Sequence, residues 1–509
     1  MPRPTSFAKV EIETGEQSAP VERPEPDTPF RTAVLGDFSG RENRSLLDPK
    51  LTGRKPVLVD RDNFDDMMAR FAPELHLPVG GQGDRRIPIR FRELDDFHPD
   101  RIFEQLKIFQ ALRETRDRLS DRATFNDAAA LLRSWSGAAA EPAKPAPPPA
   151  SASPDISRLS AREMFERALS ATEAGGGAAH PRRALDDFQL LLRDIVAPYA
   201  EPKPDPRQAD LIAQVDAAIS GQMRALLHHP DFQALEAAWR SVFFLVRRLE
   251  TGRNLKIFLL DIAKPELGAD LIATFELLIQ QSVGTPDKQP WAVLAGNYTF
   301  GGSREDVELL ARMAAVARHA GAPFLAAASP QVLGWQPFAE MPEPLHSDPE
   351  TDSARAQAWN ALRRLPQASW LGLALPRFLL RLPYGKQTDA IDRFSFEEFA
   401  GAPRHEQYLW SNPAFALAYL LGEAFSQSGW DMRPGEAAEI GGLPAHVYRV
   451  GGESYLKPCA ETLLSEHAAE AILDRGVMPL LSIKGSDAVR LLRFQSIASP
   501  AVPISGRWG

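Results

Sequence analysis

The chain has 509 residues, more than one hydrophobic core organises, so two or more structural units are expected. Its 44% hydrophobic and 25% charged content is that of an ordinary folded protein, and its formal net charge of −9 excludes a chain built chiefly to neutralise phosphates. Residues 1–136 carry 22 Lys+Arg against 24 Asp+Glu, so neither nucleic acid nor an anionic membrane finds a basic half to grip. A single cysteine, Cys459, rules out an internal disulfide framework and fits a reducing cytoplasm. No apolar run reaches the roughly 18 residues of a membrane span, and the first residues lack the apolar core of a secretory signal. A cytoplasmic protein without membrane insertion is expected.

Residues 1–29 read as a Pro/Glu-rich disordered tail. Residues 32–35 then form a short buried strand closed by Gly36-Asp37, and residues 56–59 a second. A helix over 64–71 follows the cap-like Asp62-Asn63, with Asp65 and Asp66 in its first turn. Residues 87–94 alternate, Ile87, Ile89 and Phe91 against Pro88, Arg90 and Arg92, as a half-exposed strand does. A single helix over 101–119 starts after His98-Pro99. These elements define an α/β unit over 30–136 whose few strands leave open edges for a partner. The Ala/Pro-rich stretch 137–157 reads as a semi-stiff linker, and 158–204 as a connector with helices at 160–169 and 185–196 and a Pro-rich break at 200–206.

The remaining unit, 205–509, opens with two apolar stripes at helical spacing, Leu211 to Leu226 and Phe232 to Val246. Strands are expected at 255–261, 291–295, 324–328, 370–375 and 477–483, with helices at 304–319 and at 466–475, the latter stopped by Gly476. Strands alternating with helices place both units in the α/β class, with mixed sheets and flanking helices. Tied by one linker, the two units are expected to dock on each other.

None of the candidate chemical constellations closes. The acidic run Asp60, Asp62, Asp65, Asp66 has Phe64 and Asp65 where a calcium loop needs an oxygen ligand and a glycine. His98 lies among carboxylates in LDDFHPD, but no motif ties a nucleophile to it. His228 and His229 point about 100° apart on a helix end and find no other ligand pair at metal spacing. Cys459 has no C-x-x-C partner, and the Gly-rich 295–303 matches no phosphate-binding pattern. No catalytic, cofactor or metal site is expected, and a hydrolase built on Cys459 or His98 is a remote alternative. Arg377 and Arg381, set among large apolar residues in 370–385, are expected in a buried or interface strand with their guanidinium groups satisfied.

Three motifs of the first unit, LGDFSGR (35–41), VDRDNFDDMMARFAPEL (59–75) and FRELDDFHPDRIFEQL (91–106), resemble the small subunit of the type VI secretion contractile sheath. Six in the second resemble its large subunit: HHPDFQALEAAWRSVFFLV (228–246), GNYTFGGSREDVELL (296–310), APFLAAASP (322–330), GLALPRFLLRLPYG (372–385), YLWSNPAFALA (408–418) and KGSDAVRLLRFQS (484–496). The family-motif positions carried by this resemblance are Asp37, Asp60, Asp62, Phe64, Asp96, Phe97, His98, Pro99, Trp239, Arg240, Pro376, Arg377, Arg381, Pro383, Tyr384 and Trp410. The resemblance implies a non-enzymatic structural subunit, paired small and large parts polymerising around an inner-tube protein to power effector delivery by contraction. The partners it implies are other sheath subunits, the inner tube, baseplate components and an AAA+ ATPase that dismantles the contracted form. Large subunits of the family normally continue beyond the Phe-Gln-Ser segment, and the approach to Gly296 here is LLIQQSVGTPDKQP in place of a Tyr/Glu/Gly-rich run. These departures make a sheath-derived capping, adaptor or accessory protein the alternative expectation.

Overall fold

The computed structural model describes residues 23–51, 53–80, 86–121, 123–135, 192, 208–280, 289–341 and 353–508. The expected linker, most of the tail and, apart from Leu192, the helical connector lie outside the described residues.

The first segment contributes β1 (Phe30–Gly36), β2 (Val57–Val59), helix α1 (Phe64–Phe71) and a hairpin of β3 (Glu74–Pro78) and β4 (Arg86–Arg90). Helices α2 (Pro99–Gln105), α3 (Lys107–Ser120) and α4 (Phe125–Trp135) follow. The helix expected over 101–119 is broken at Leu106, whose backbone is extended (φ −91, ψ 120). In one straight helix Phe103 and Phe109 would project about 120° apart. The break lets both enter the same core, with ring centroids 5.6 Å apart. Gly476 holds φ +78 just past the last helix of the chain, where a Cβ would come 2.6 Å from the Ile497 carbonyl oxygen, so only glycine fits.

The second segment opens with α5 (Gln208–Leu227) and α6 (Pro230–Arg248), then β5 (Leu255–Asp261), α7 (Lys264–Ala269), α8 (Leu271–Phe275) and β6 (Val293–Phe300). It continues with α9 (Arg304–Ala320), β7 (Phe324–Ala328), α10 (Ala354–Arg363), β8 (Leu371–Leu375) and the short pair β9 (Phe378–Leu379) and β10 (Trp410–Ser411). Last come α11 (Pro413–Ser428), β11 (Glu439–Ile440), the hairpin β12 (Val447–Val450) with β13 (Glu453–Leu456), α12 (Glu466–Asp474), β14 (Met478–Ser482) and β15 (Val489–Leu491).

One nine-stranded sheet runs β11-β15-β14-β8-β7-β6-β1-β5-β2. Its six inner strands from β5 to β14 are parallel, while β2 and β15 join antiparallel. The mixed α/β class expected from the sequence is therefore present. The two segments read as separate units meet in this sheet. β1, from the first, lies between β5 and β6, both from the second, in register from Phe30 opposite Leu255 to Gly36 opposite Asp261.

Burial explains why β1 reads as a near-continuous apolar run. Phe30 and Val34 face one core, shared with α6 and α11, whereas Ala33 and Leu35 face a second core built largely on α9. Both faces of a parallel sheet are covered, so its strands lose the polar alternation of half-exposed ones.

Candidate functional site

Several of the sequence-derived motif positions lie at the seam where the first segment enters the second. The LGDFSGR loop leaves β1 and folds over the end of β5. Asp261 Oδ1 accepts from the Phe38 and Ser39 amides (2.8 and 3.2 Å), and its Oδ2 accepts from the Ser39 hydroxyl (2.7 Å) and Arg41 Nε (2.9 Å). Asp37 closes the loop on itself by accepting from the Arg41 and Glu42 amides, each at 2.9 Å. Burial raises its carboxyl above the ordinary range against the opposing pull of those amides.

The anchor of the loop is Glu266, near the start of α7, with no exposed side-chain surface. Arg41 donates to both its oxygens (2.7 and 3.0 Å) and Arg54 does the same (2.6 and 2.8 Å). Burial alone would push this carboxyl up. Hydrogen bonds from Arg54, the Asp48 and Ala263 amides, and Arg41 outweigh it and bring the carboxyl down to about 2. Arg41 ends the LGDFSGR motif, whereas Glu266, Asp261 and Arg54 lie outside every motif the sequence singles out.

Trp239, on α6, is the aromatic hub of the seam. Its Nε1 donates to the Phe38 carbonyl (2.9 Å), and Phe38, Phe64 and Phe71 surround its ring at centroid distances of 5.6, 5.8 and 5.7 Å. Phe97 stacks on Phe91 at 4.1 Å and meets Phe232 edge-on at 5.6 Å. Asp60 and Asp62 lie at the approach to α1. Asp60 Oδ1 accepts from the Asp62 and Asn63 amides (both 3.0 Å), while Asn63 at the cap position bonds back to the Asp60 amide in place of capping the helix. Asp65 and Asp66 occupy the first turn as expected.

The two His-Pro-Asp tripeptides, whose sequence surroundings differ, are structural twins. His98 Nδ1 accepts from the Asp100 amide and His229 Nδ1 from the Asp231 amide, both at 3.2 Å, with Pro99 and Pro230 opening α2 and α6. Imidazole here takes the place of the usual Asp or Ser cap. Asp96 caps the preceding turn by accepting from the Arg92 and Glu93 amides (2.6 and 3.3 Å). Asp100 also crosses the seam, accepting from the Asp392 and Arg393 amides at 3.0 Å each.

A second buried network joins α6 to the segment after β9. Arg381, only 8% exposed, reaches Glu236 Oε1 (2.8 Å) and Glu398 Oε2 (2.8 Å). Arg240 donates to Glu236 (2.7 Å) and to the Tyr384 hydroxyl (3.0 Å), and the Tyr384 amide donates to Glu398 (2.7 Å). Burial pushes the Tyr384 phenol up to about 12. Glu398 is held at about 2, because the Arg381 charge and hydrogen bonds overcome its burial. His228 Nε2 stands 3.3 Å from Glu398 Oε1. His98 meets the Tyr384 ring edge-on at 4.9 Å, tying this network to the first segment.

Arg377 pairs with Glu461 (2.9 and 2.5 Å), which also meets His405 at 2.9 Å, and the Trp410 indole donates to the His405 carbonyl (3.1 Å). Pro376 follows a cis peptide bond at the end of β8, and the Pro383 carbonyl accepts from the Thr388 hydroxyl. The expectation of satisfied guanidinium groups at Arg377 and Arg381 therefore holds, but neither lies in a strand: Arg377 falls between β8 and β9, and Arg381 follows β9. Their partners Glu236, Glu398 and Glu461 went unread. Glu236 did leave a signal, a carboxylate between Leu235 and Trp239 on an otherwise apolar stripe.

Cys459 is buried with Sγ 3.5 Å from the Pro444 carbonyl, and burial pushes its thiol up to about 11, the opposite of nucleophile activation. Among the described residues no group of three or more His, Cys, Asp or Glu is placed to hold a metal, and no helix is long and apolar enough to cross a membrane.

Comparison with known proteins divides the chain along the same lines. Residues 209–498 match the family described as EvpB/VC_A0108, tail sheath N-terminal domain, and residues 9–133 match the family described as type VI secretion system, VipA, VC_A0107 or Hcp2. The type VI secretion system sheath protein TssC1 of Pseudomonas aeruginosa is 35% identical over 305 residues, 57% of this chain and 61% of that protein. The sheath protein TssB1 of the same organism is 28% identical over 105 residues, 19% of this chain and 59% of that protein. The chain thus spans about six tenths of the length of each curated relative it matches.

Proposed function

Because the chain belongs to the tail sheath family of type VI secretion systems, we propose that it is a structural subunit of a contractile sheath, working in the cytoplasm by assembly and not by catalysis. The observation that carries this reading is the seam itself. The segments resembling two sheath proteins interlock through a shared sheet, and residues of the matched motifs, Arg41, Trp239 and Asp100 among them, spend their polar groups on bonds across the junction. Asp37, Asp96, His98 and Pro99 shape the turns of the first segment at the seam. Trp239, Arg240, Arg381 and Tyr384 form the wall that receives it. Pro376, Arg377, Pro383 and Trp410 set the adjoining loops.

Other copies of the subunit, an inner-tube protein, baseplate components and a disassembly ATPase are the partners this role requires. Surfaces for neighbours are present. The β12–β13 hairpin exposes Val447, Val450, Tyr455 and Leu456, and β2 and β11 leave strand edges open. Electron microscopy of the purified protein, alone and with inner-tube protein from the same organism, tests the proposal. Helical tubes are the expected result. A protein that stays dispersed in both conditions and adds to no preformed sheath would overturn it.

A further inference from the structure

We infer that this chain supplies both parts of one protomer junction: the slot between β5 and β6 is filled in cis by its own β1, so assembly recruits no separate small-type sheath chain. This rests on the sheath reading and names the partner that the seam excludes.

The argument begins with topology. Without β1, strands β5 and β6 would each present an unpaired inner edge in the middle of a parallel sheet. That arrangement leaves buried amides and carbonyls unsatisfied. β1 closes both edges at once, pairing along seven residues with β5 and four with β6. Phe30, Ala33, Val34 and Leu35 are fully buried there.

Side chains then lock the strand. Arg41 and Arg54 reach Glu266, Trp239 holds the Phe38 carbonyl, and Asp100 caps the amides of Asp392 and Arg393. Farther out, Arg116 Nε meets Asp216 Oδ1 at 2.6 Å, and Gln208 donates to the Leu119 carbonyl at 2.5 Å where the second segment resumes. A competing chain must break all of these contacts before forming its own. It also competes against a segment held at millimolar-scale effective concentration, about a thousandfold advantage over a micromolar rival.

The two curated relatives that match the two parts are separate proteins of one organism. In this chain the corresponding parts share one backbone, and the fold uses that continuity to occupy the slot.

The test keeps the full chain. A protease site is placed within residues 137–157 and cut after folding, in two preparations with different N-terminal tags. One preparation is isotopically labelled, the two are mixed, and each tag is recovered after a day and its C-terminal partner identified by mass. We expect the pieces to co-elute and fewer than about one in a hundred to have exchanged, with Glu266→Gln raising that fraction at least tenfold by removing the charge between Arg41 and Arg54. Separation of the pieces on gel filtration, or full scrambling within an hour, overturns the inference.

Microscopy of the uncut protein separates the two ideas. Tubes together with rapid exchange would keep the sheath reading and remove this one. No exchange and no tubes would do the reverse.

Discussion

Replacing Glu266 by Gln preserves shape and removes the charge on which Arg41 and Arg54 converge. In the folded chain the carboxyl is held near 2, against an ordinary 4.5. A folded-state value below the unfolded one contributes stability that is fully present above about pH 4.5 and is lost as the pH falls towards 2. The displacement corresponds to roughly 3 kcal/mol at pH 7, within the range for breaking a buried pair by removing one partner. Glu266→Gln should therefore lower the melting temperature at pH 7 by about 3–4 °C. At pH 3 the wild-type carboxylate has given up about half of its contribution, so the gap between the two proteins should narrow by about half. Circular dichroism melts of both proteins at pH 7, 5 and 3 measure this. A gap that does not change with pH would show that the loss is one of packing, and an unchanged melting temperature at pH 7 would refute the anchoring role altogether.

His98→Ala and His229→Ala each remove a helix cap and should cost about 1 kcal/mol, with His98→Asn and His229→Asn recovering most of it, as chemical denaturation would show. Native Cys459 should resist thiol reagents at pH 8 and react fully only after unfolding, since burial holds the thiol near 11; fast labelling of the folded protein would contradict its placement. Trp239→Phe keeps the aromatic hub but drops the bond to the Phe38 carbonyl, leaving a buried acceptor unpaired, so a loss of about 1–3 kcal/mol is expected in urea titrations. Glu398→Gln should be destabilising at pH 7 by a similar route to Glu266→Gln, because Arg381 would keep only Glu236, which it shares with Arg240; equal stability would rule out Glu398 as its counterion.

The regular elements were largely legible because their signals are local. The strands expected at 255–261 and 324–328 match β5 and β7, and the helix at 64–71 matches α1, since apolar periodicity and cap residues sit within a few positions of each other. α11 went unread although Asn412-Pro413 marks its start: it is apolar nearly all round, and a buried helix without a polar face carries no 3.6-residue contrast. β3 also went unread, because ELHLP alternates over only five residues and is recognisable as a strand only beside β4.

The seam is legible at one end only. Pairs such as Arg41 with Glu266 lie 225 positions apart, and Arg381 with Glu236 lie 145 apart, so either residue alone looks like a surface charge or an isolated anomaly. What the sequence does show is the anomaly itself, an arginine or glutamate inside an apolar run. Its resolution needs the fold.

Why the junction is charged at all follows from the register problem of a strand inserted between two others. β1 buries apolar residues on both faces, and a parallel pairing shifted by two residues would present the same faces. Buried ion pairs contribute less to stability than their geometry suggests, because desolvation offsets much of the attraction, but a misplaced one is heavily penalised. In the observed alignment Gly36 lies opposite Asp261, which places Arg41 against both Asp261 and Glu266. A shift of two residues moves the loop by about 7 Å, far beyond hydrogen-bond reach, and leaves the fully buried Glu266 without the Arg41 guanidinium. The apolar strand supplies the affinity of the seam, and the charged loop beyond its end selects the one alignment in which the two parts of the protomer fit.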